Sequence, residues 1–217
     1  MKEKEFYRRN LPHYQPQNAV LFMTARLYGS IPKARLNELK EAREIEENRL
    51  RKLGLTEEEL RKALRGERDL YFGKFDHLLD NNTKGPHWLK NDKIAQIWFD
   101  ALKYFDGERY TVICSTIMSN HVHFIFYKLD RKLSQIMKSL KGFSAFEINK
   151  ILKQENPTIA LKSEFWQDES FDRYIRDRAD LRAKIFYILN NPVKAGIVEH
   201  WEDYEWNYIQ EDFRKFL

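Results

Sequence analysis

The stretch YTVICSTIMSNHVHFIFY, residues 110–127, decides the fold. Its two halves, Tyr110 to Met118 and His121 to Tyr127, are rich in β-branched and aromatic residues, and Ser119-Asn120 is a short polar break between them. Two such runs joined by a tight corner are expected to form a β-hairpin. Successive side chains on a strand point to opposite faces, so Val122, Phe124 and Phe126 share one side while His121 and His123 share the other. The apolar side gives the strand a core to cover. The opposite side then presents two imidazoles at the spacing of a metal pair, a spacing that ordinary strand histidines can also show.

Working outward, residues 91–105, NDKIAQIWFDALKYF, place Ile94, Ile97, Trp98, Ala101, Leu102 and Phe105 at helical intervals, with Asn91 or Asp92 as N-cap. Downstream, Leu133 to Lys153 is basic and amphipathic: Ile136, Leu140, Phe143, Phe146 and Ile148 alternate with Lys138, Lys141, Lys150 and Lys153, and Gly142 is a point where the helix can bend. A first strand is expected over residues 18–28 and a last, short one within 164–175. The final helix runs from Arg178 to Asn190 and is expected to stop at Asn191-Pro192. Strand, helix, strand, strand, helix, strand is the order of a ferredoxin-like α+β sandwich with an antiparallel sheet. Residues 33–85 interrupt that order with densely charged helices broken near Gly54, and Thr56 with Glu59 forms a capping box that restarts the second. The whole chain is thus expected to be a single domain with a helical insertion at 33–85 and an aromatic, acidic tail at 198–217.

Bulk composition narrows the function. Lys and Arg outnumber Asp and Glu by 38 to 33, for a net charge of +5 and a pI near 9.1, a mild bias toward a polyanionic partner. The one cysteine, Cys114, excludes an intrachain disulfide and any cysteine-rich zinc site. The charged N-terminus lacks a signal-peptide pattern and no apolar run nears the roughly 18 residues of a membrane span, so a cytoplasmic protein without membrane association is expected.

The final helix adds a second set of chemistry-bearing residues. At about 100° per residue, Leu181, Ile185 and Ile188 form a core stripe, while Lys184, Tyr187 and Asn191 lie on another face. On geometry alone Tyr187 is either a boundary residue or a group aimed at something polar, and Asn191 is either a ligand or a helix end. The sequence itself then becomes more specific. IMSNHVHFIF at 117–126, FWQDESFDRYIRDRADLRAKIFYILNNPVKAG at 165–196, LPHYQP at 11–16 and the strand ending in TARLYGSIP together resemble the REP-associated tyrosine transposases of the single-tyrosine HUH family. Ser119 stands where that family usually has proline, a difference confined to the turn.

The resemblance implies an HUH endonuclease core that cleaves and rejoins single-stranded or hairpin DNA through a 5′-phosphotyrosine. It makes Tyr187 the nucleophile and His121, His123 and Asn191 the ligands of Mg²⁺ or Mn²⁺. Tyr174 is the rival tyrosine, but it falls outside the family's tyrosine position. Covalent linkage conserves the phosphodiester energy, consistent with the lack of a Gly-rich nucleotide-binding loop. For the DNA itself, Lys138, Lys141, Arg173, Arg176 and Lys184 are the main phosphate-binding candidates, with Arg8, Arg9, Arg178 and Arg182 as further basic groups. Trp166, or His87 and Trp88, are candidates for stacking on unpaired bases. Competing readings are a domesticated enzyme that nicks or processes repeated palindromes, a catalytically silent DNA-binding protein, and a metal hydrolase using water. Relatives of this kind include monomers and dimers, with the REP-associated branch leaning toward monomers.

Overall fold

A computed structural model describes residues 6–8, 12–14, 19–155 and 164–217. Arg9, part of the LPHYQP block and the side chain of Arg8 lie outside what is described. In chain order the elements begin with β1 (Phe6–Arg8), β2 (Pro12–Tyr14) and β3 (Val20–Arg26), followed by helices α1 (Lys33–Arg51) and α2 (Glu57–Asp80). Then come α3 (Asp92–Tyr104), β4 (Thr111–Ile117), β5 (His121–Tyr127), α4 (Leu133–Glu155) and β6 (Phe171–Ile175). The series closes with α5 (Arg178–Leu189), α6 (Asn191–Lys194) and β7 (Asn207–Ile209).

β4 and β5 form the expected hairpin, closed by the Met118 N–H donating to the His121 carbonyl at 2.9 Å. They belong to a five-stranded antiparallel sheet ordered β6-β3-β5-β4-β7. Without β7 this is the strand order of the ferredoxin-like sandwich. The sequence left the fifth strand undetected because Asn207–Ile209 is only three residues long, too short to show a period.

The two sheet faces have different jobs. Leu21, Met23, Ala25, Val122, Phe124 and Phe126 belong to one core with Trp98 and Leu102 of α3 and Ile136, Leu140 and Ile148 of α4. Trp98 sits at its centre, fully buried, 5.9 Å from Phe124 and 4.6 Å from Trp166 by ring centroids. Asn91 is the N-cap of α3, its side chain accepting from the Lys93 N–H. The other face carries His121 and His123, and α5 packs against it through buried Ile185 and Ile188.

Two helical details differ from the expectation. α4 continues through Gly142 as one helix, and Phe143 and Phe146 point to solvent instead of the core, at 54% and 61% exposure. The inward stripe is already filled by Ile136, Met137, Leu140, Ser144, Ile148 and Leu152. The last helix ends at Leu189, and a short helix starts at Asn191 with Pro192 in its first turn, where a missing N–H costs nothing.

The chain divides into two compact units: one formed by the sequence on either side of residues 29–86, described above, and Gly29–Pro86. In the latter, α1 packs on α2 and Arg43 lies 4.7 Å from the Tyr71 ring centre. The capping box forms, with Thr56 Oγ1 accepting from the Glu59 N–H and the Glu59 carboxylate accepting from the Thr56 N–H. Gly85 lies at a close approach of the backbone: a Cβ there would stand 3.2 Å from both the Gly29 carbonyl and the Ser30 Cα, so a larger residue would require these neighbours to shift. No helix among the described residues is long and apolar enough to cross a membrane.

Candidate metal and tyrosine site

Strand register assembles the site. Thr24 of β3 and Thr116 of β4 flank His123 on the two neighbouring strands, and Arg26 lies opposite His121. Residues directly opposite in an antiparallel pair project to the same face, so Thr24, His123, Thr116 and, beyond it, Asn207 form one row across the sheet. Both histidines are fully buried.

Hydrogen bonds fix the imidazoles. His121 Nδ1 lies 2.7 Å from Asn120 Oδ1. An amide oxygen only accepts, so Nδ1 carries the proton and the lone pair of His121 sits on Nε2. That Nε2 faces His123 Nε2 at 3.1 Å. His123 Nδ1 is in turn 2.9 Å from Thr24 Oγ1. If the Thr24 hydroxyl donates, His123 Nε2 keeps a proton and donates to His121. If His123 donates to Thr24, both Nε2 lone pairs converge on one point, an arrangement stable only around a cation. Neighbouring nitrogens on a shared ion about 2.1 Å away would stand roughly 3 Å apart, so the pair is suited to a metal.

α5 brings the tyrosine to the same face. Asp177 caps it, its carboxylate accepting from the Asp180 N–H at 2.8 Å. Tyr187, half-buried, has its ring centre 5.7 Å from that of His123 and 6.1 Å from Phe22, which itself stacks on His123 at 5.5 Å. Lys184 Nζ lies 5.2 Å from the Tyr187 ring centre and 5.4 Å from that of Phe22. One turn beyond Tyr187, Asn191 is buried, and neither amide atom has a hydrogen-bond partner among the described residues. Asn207 clips the helix end, donating from Nδ2 to the Leu189 and Trp201 carbonyls at 2.8 Å each. Thus His121, His123, Lys184 and Tyr187 come together, and Asn191 is placed just after Tyr187 on a chain segment held against the sheet.

Other sequence candidates fall elsewhere. Tyr174 pairs with Leu21 in register and packs on the α3/α4 side, away from the histidines. Trp166 is corrected from a base-stacking candidate to a core residue: it is buried and its Nε1 donates to Ser144 Oγ at 2.9 Å. Lys141 is corrected likewise. Its buried ammonium donates to the Gln167 and Asp168 carbonyls at 2.7 and 2.9 Å, tying α4 to the segment before β6, and burial pulls its pKa down to about 8. Arg173 is buried on the histidine face, 3.3 Å from Asp180, which also pairs with Arg176 at 3.2 Å. Burial raises the Asp180 carboxyl, but the Arg176 N–H and the Arg173 guanidinium outweigh it and hold the group below the usual range. Lys138 and Trp88 are exposed, whereas His87 Nδ1 is 2.8 Å from Ser119 Oγ. Ser119 thereby ties its turn to the segment before α3.

Thr24, Asn120, Thr116 and Phe22 were missed from sequence. The signal existed in VLFMTAR, where Phe22, Thr24 and Arg26 alternate with the small and apolar Leu21, Met23 and Ala25, but register was needed to aim Thr24 at a histidine.

The segment that carries the paired imidazoles and the facing tyrosine is also the segment with a sequence match. A model of the family described as IS200-like transposase matches residues 91–191, from the cap of α3 through His121, His123 and Tyr187 to Asn191. Among solved structures it is similar to a REP-associated tyrosine transposase bound to a REP hairpin, with 16% identity, a TM-score of 0.52, and coverage of 95% of this chain and 82% of that one. No curated protein matches the sequence.

Proposed function

We propose that the protein is a metal-dependent single-stranded DNA endonuclease and transposase that cleaves and rejoins strands through Tyr187, at sites associated with hairpins. The observation that supports this best is the Tyr187 ring standing 5.7 Å from His123, beside two Nε2 atoms 3.1 Å apart. His121 and His123 would hold Mg²⁺ or Mn²⁺, and Asn191, with an orphaned buried amide, is the third ligand in this reading. A divalent ion held by these residues would supply positive charge to offset the negative charge that builds on the phosphate in the transition state.

Tyr187 Oη attacks the scissile phosphorus. The bond to the 3′ oxygen breaks, that oxygen takes a proton to become a free 3′-OH, and the 5′ phosphate stays on the tyrosine. The phenol gives up its proton as its bond to phosphorus forms. The Lys184 ammonium beside the ring favours the developing phenolate. A second 3′-OH can reverse the step and join strands without a nucleotide triphosphate.

Incubating the protein with 5′- or 3′-labelled hairpin DNA and Mn²⁺ is expected to give a denaturation-resistant adduct carrying only the 3′-side fragment. Tyr187→Phe should give none while DNA affinity stays within about twofold, since the phenol contributes to the chemical step and not to binding. An adduct formed by Tyr187→Phe would overturn the assignment.

A further inference from the structure

One face of α4 is unlike anything the strand-cleavage reading uses. On a helix whose inner stripe is filled, Phe143 and Phe146 stand exposed, one turn apart, within a row of cations. Lys138, Gly142, Phe146 and Lys150 lie at successive fourth positions, and Lys153 follows on the same side. The Lys150 ammonium sits 4.2 Å from the Phe146 ring centre. Glu147, the carboxylate between them, is engaged by Lys150 at 2.8 Å. At its N-terminal end the face adjoins a small cleft lined by Phe105, Arg109, Arg131, Gln135 and Ser139. From Gln135 to Lys153 the row extends roughly 27 Å at 1.5 Å per residue.

Leaving two phenylalanines in water forfeits the stabilisation that burial gives them. Gly142, with open space around it, leaves the Phe146 side of the ridge unobstructed. Cations that alternate with exposed rings suit a partner with a repeating anionic backbone and flat apolar faces. Single-stranded nucleic acid has both, whereas a duplex hides its base faces within its own stack. Because α4 covers the sheet face opposite the histidines, the surface is separate from the cleavage site.

We propose that the exposed face of α4 is a second DNA-binding surface, on which Phe143 and Phe146 stack with unpaired bases while Lys138, Lys150 and Lys153 meet the phosphates of the same strand. It would hold the single-stranded flank of the DNA whose cleavage is proposed above, and it rests on that reading for the identity of the polymer.

The test uses the full chain and fluorescein-labelled hairpins, blunt or carrying an unpaired flank of about 12 nucleotides, within the span such surfaces bind. The flank is expected to tighten binding by wild type at least tenfold. Phe143→Leu/Phe146→Leu, which keeps the surface apolar, should lose about that factor on flanked DNA and nothing on blunt DNA. Phe143→Trp/Phe146→Trp should retain it. Lys138→Ala/Lys150→Ala should lower the salt dependence of flank binding by about two phosphate contacts. Melting temperatures measured alongside verify that each variant is folded. No gain from the flank in wild type, or full flank binding by the leucine variant, would overturn the proposal. So would concentration-dependent self-association lost in the leucine variant with flank binding unchanged, which would make the face a surface between copies. The Tyr187 adduct on the same oligonucleotides is scored separately, so a failure of cleavage is distinguishable from a failure of flank binding.

Discussion

At the level of single residues, the imidazoles are positioned by neighbours as much as by their own strand. Thr24 and Asn120 each engage a histidine Nδ1 and thereby direct its Nε2. Thr24→Val and Asn120→Leu are expected to weaken Mn²⁺ binding about 10–100-fold, the usual effect of removing a group that orients a ligand. Isothermal titration with Mn²⁺ alone measures it, and unchanged affinity in both would refute the role. Lys141 gives a pH signature of another kind. Its folded pKa of about 8 lies below the ordinary lysine value, so the folded protein binds fewer protons than the unfolded chain between about pH 8 and 10.4. The penalty for burying the charge therefore reaches its full value well below pH 8, and stability contributed at this position rises with pH across that window. Lys141→Met should flatten this rise, a difference of about 2 kcal/mol visible in urea melts of the two proteins at pH 7.5 and 10. Both effects were illegible in the sequence, because a threonine opposite a histidine and a lysine turned inward appear only once register and rotation are known.

Among the elements, β5 and α5 were legible because each satisfies two demands at once. In β5 the alternation of Val122, Phe124 and Phe126 with the histidines set both the strand and its orientation, and the core formed on the expected side. In α5 the stripe of Leu181, Ile185 and Ile188 turned Tyr187 out of the core. α4 was legible as a helix but not in its outward face, since a phenylalanine in a periodic pattern gives no sign of the volume left for it inside. The position of α5 depends on its cap. Asp177→Ala should cost about 1 kcal/mol of stability, the typical value for a lost carboxylate cap, and its denaturant midpoint should fall without a change in slope. An unchanged midpoint would mean that packing of Ile185 and Ile188 alone holds the helix in place.

For the molecule as a whole, the ferredoxin-like order was readable from the succession of strands and helices, while the closing of the sheet was not, because its last strand is too short and too aromatic to show alternation. That closing strand has a consequence for solution behaviour. β7 pairs with β4 through Cys114, Ser115 and Thr116, Gln210 N–H donates to the Ile113 carbonyl at 2.8 Å, and Tyr204 Oη donates to the Ile117 carbonyl at 2.6 Å. The segment thus occupies backbone groups that would otherwise stand unpaired along a hydrophobic edge and recruit strands from other molecules. Removal of residues 198–217 is expected to increase strand swapping or precipitation relative to the full chain, scored by size-exclusion chromatography and thioflavin fluorescence. On this reading the tail would act as a gatekeeper, its short strand standing where an amyloid-like neighbour would otherwise add.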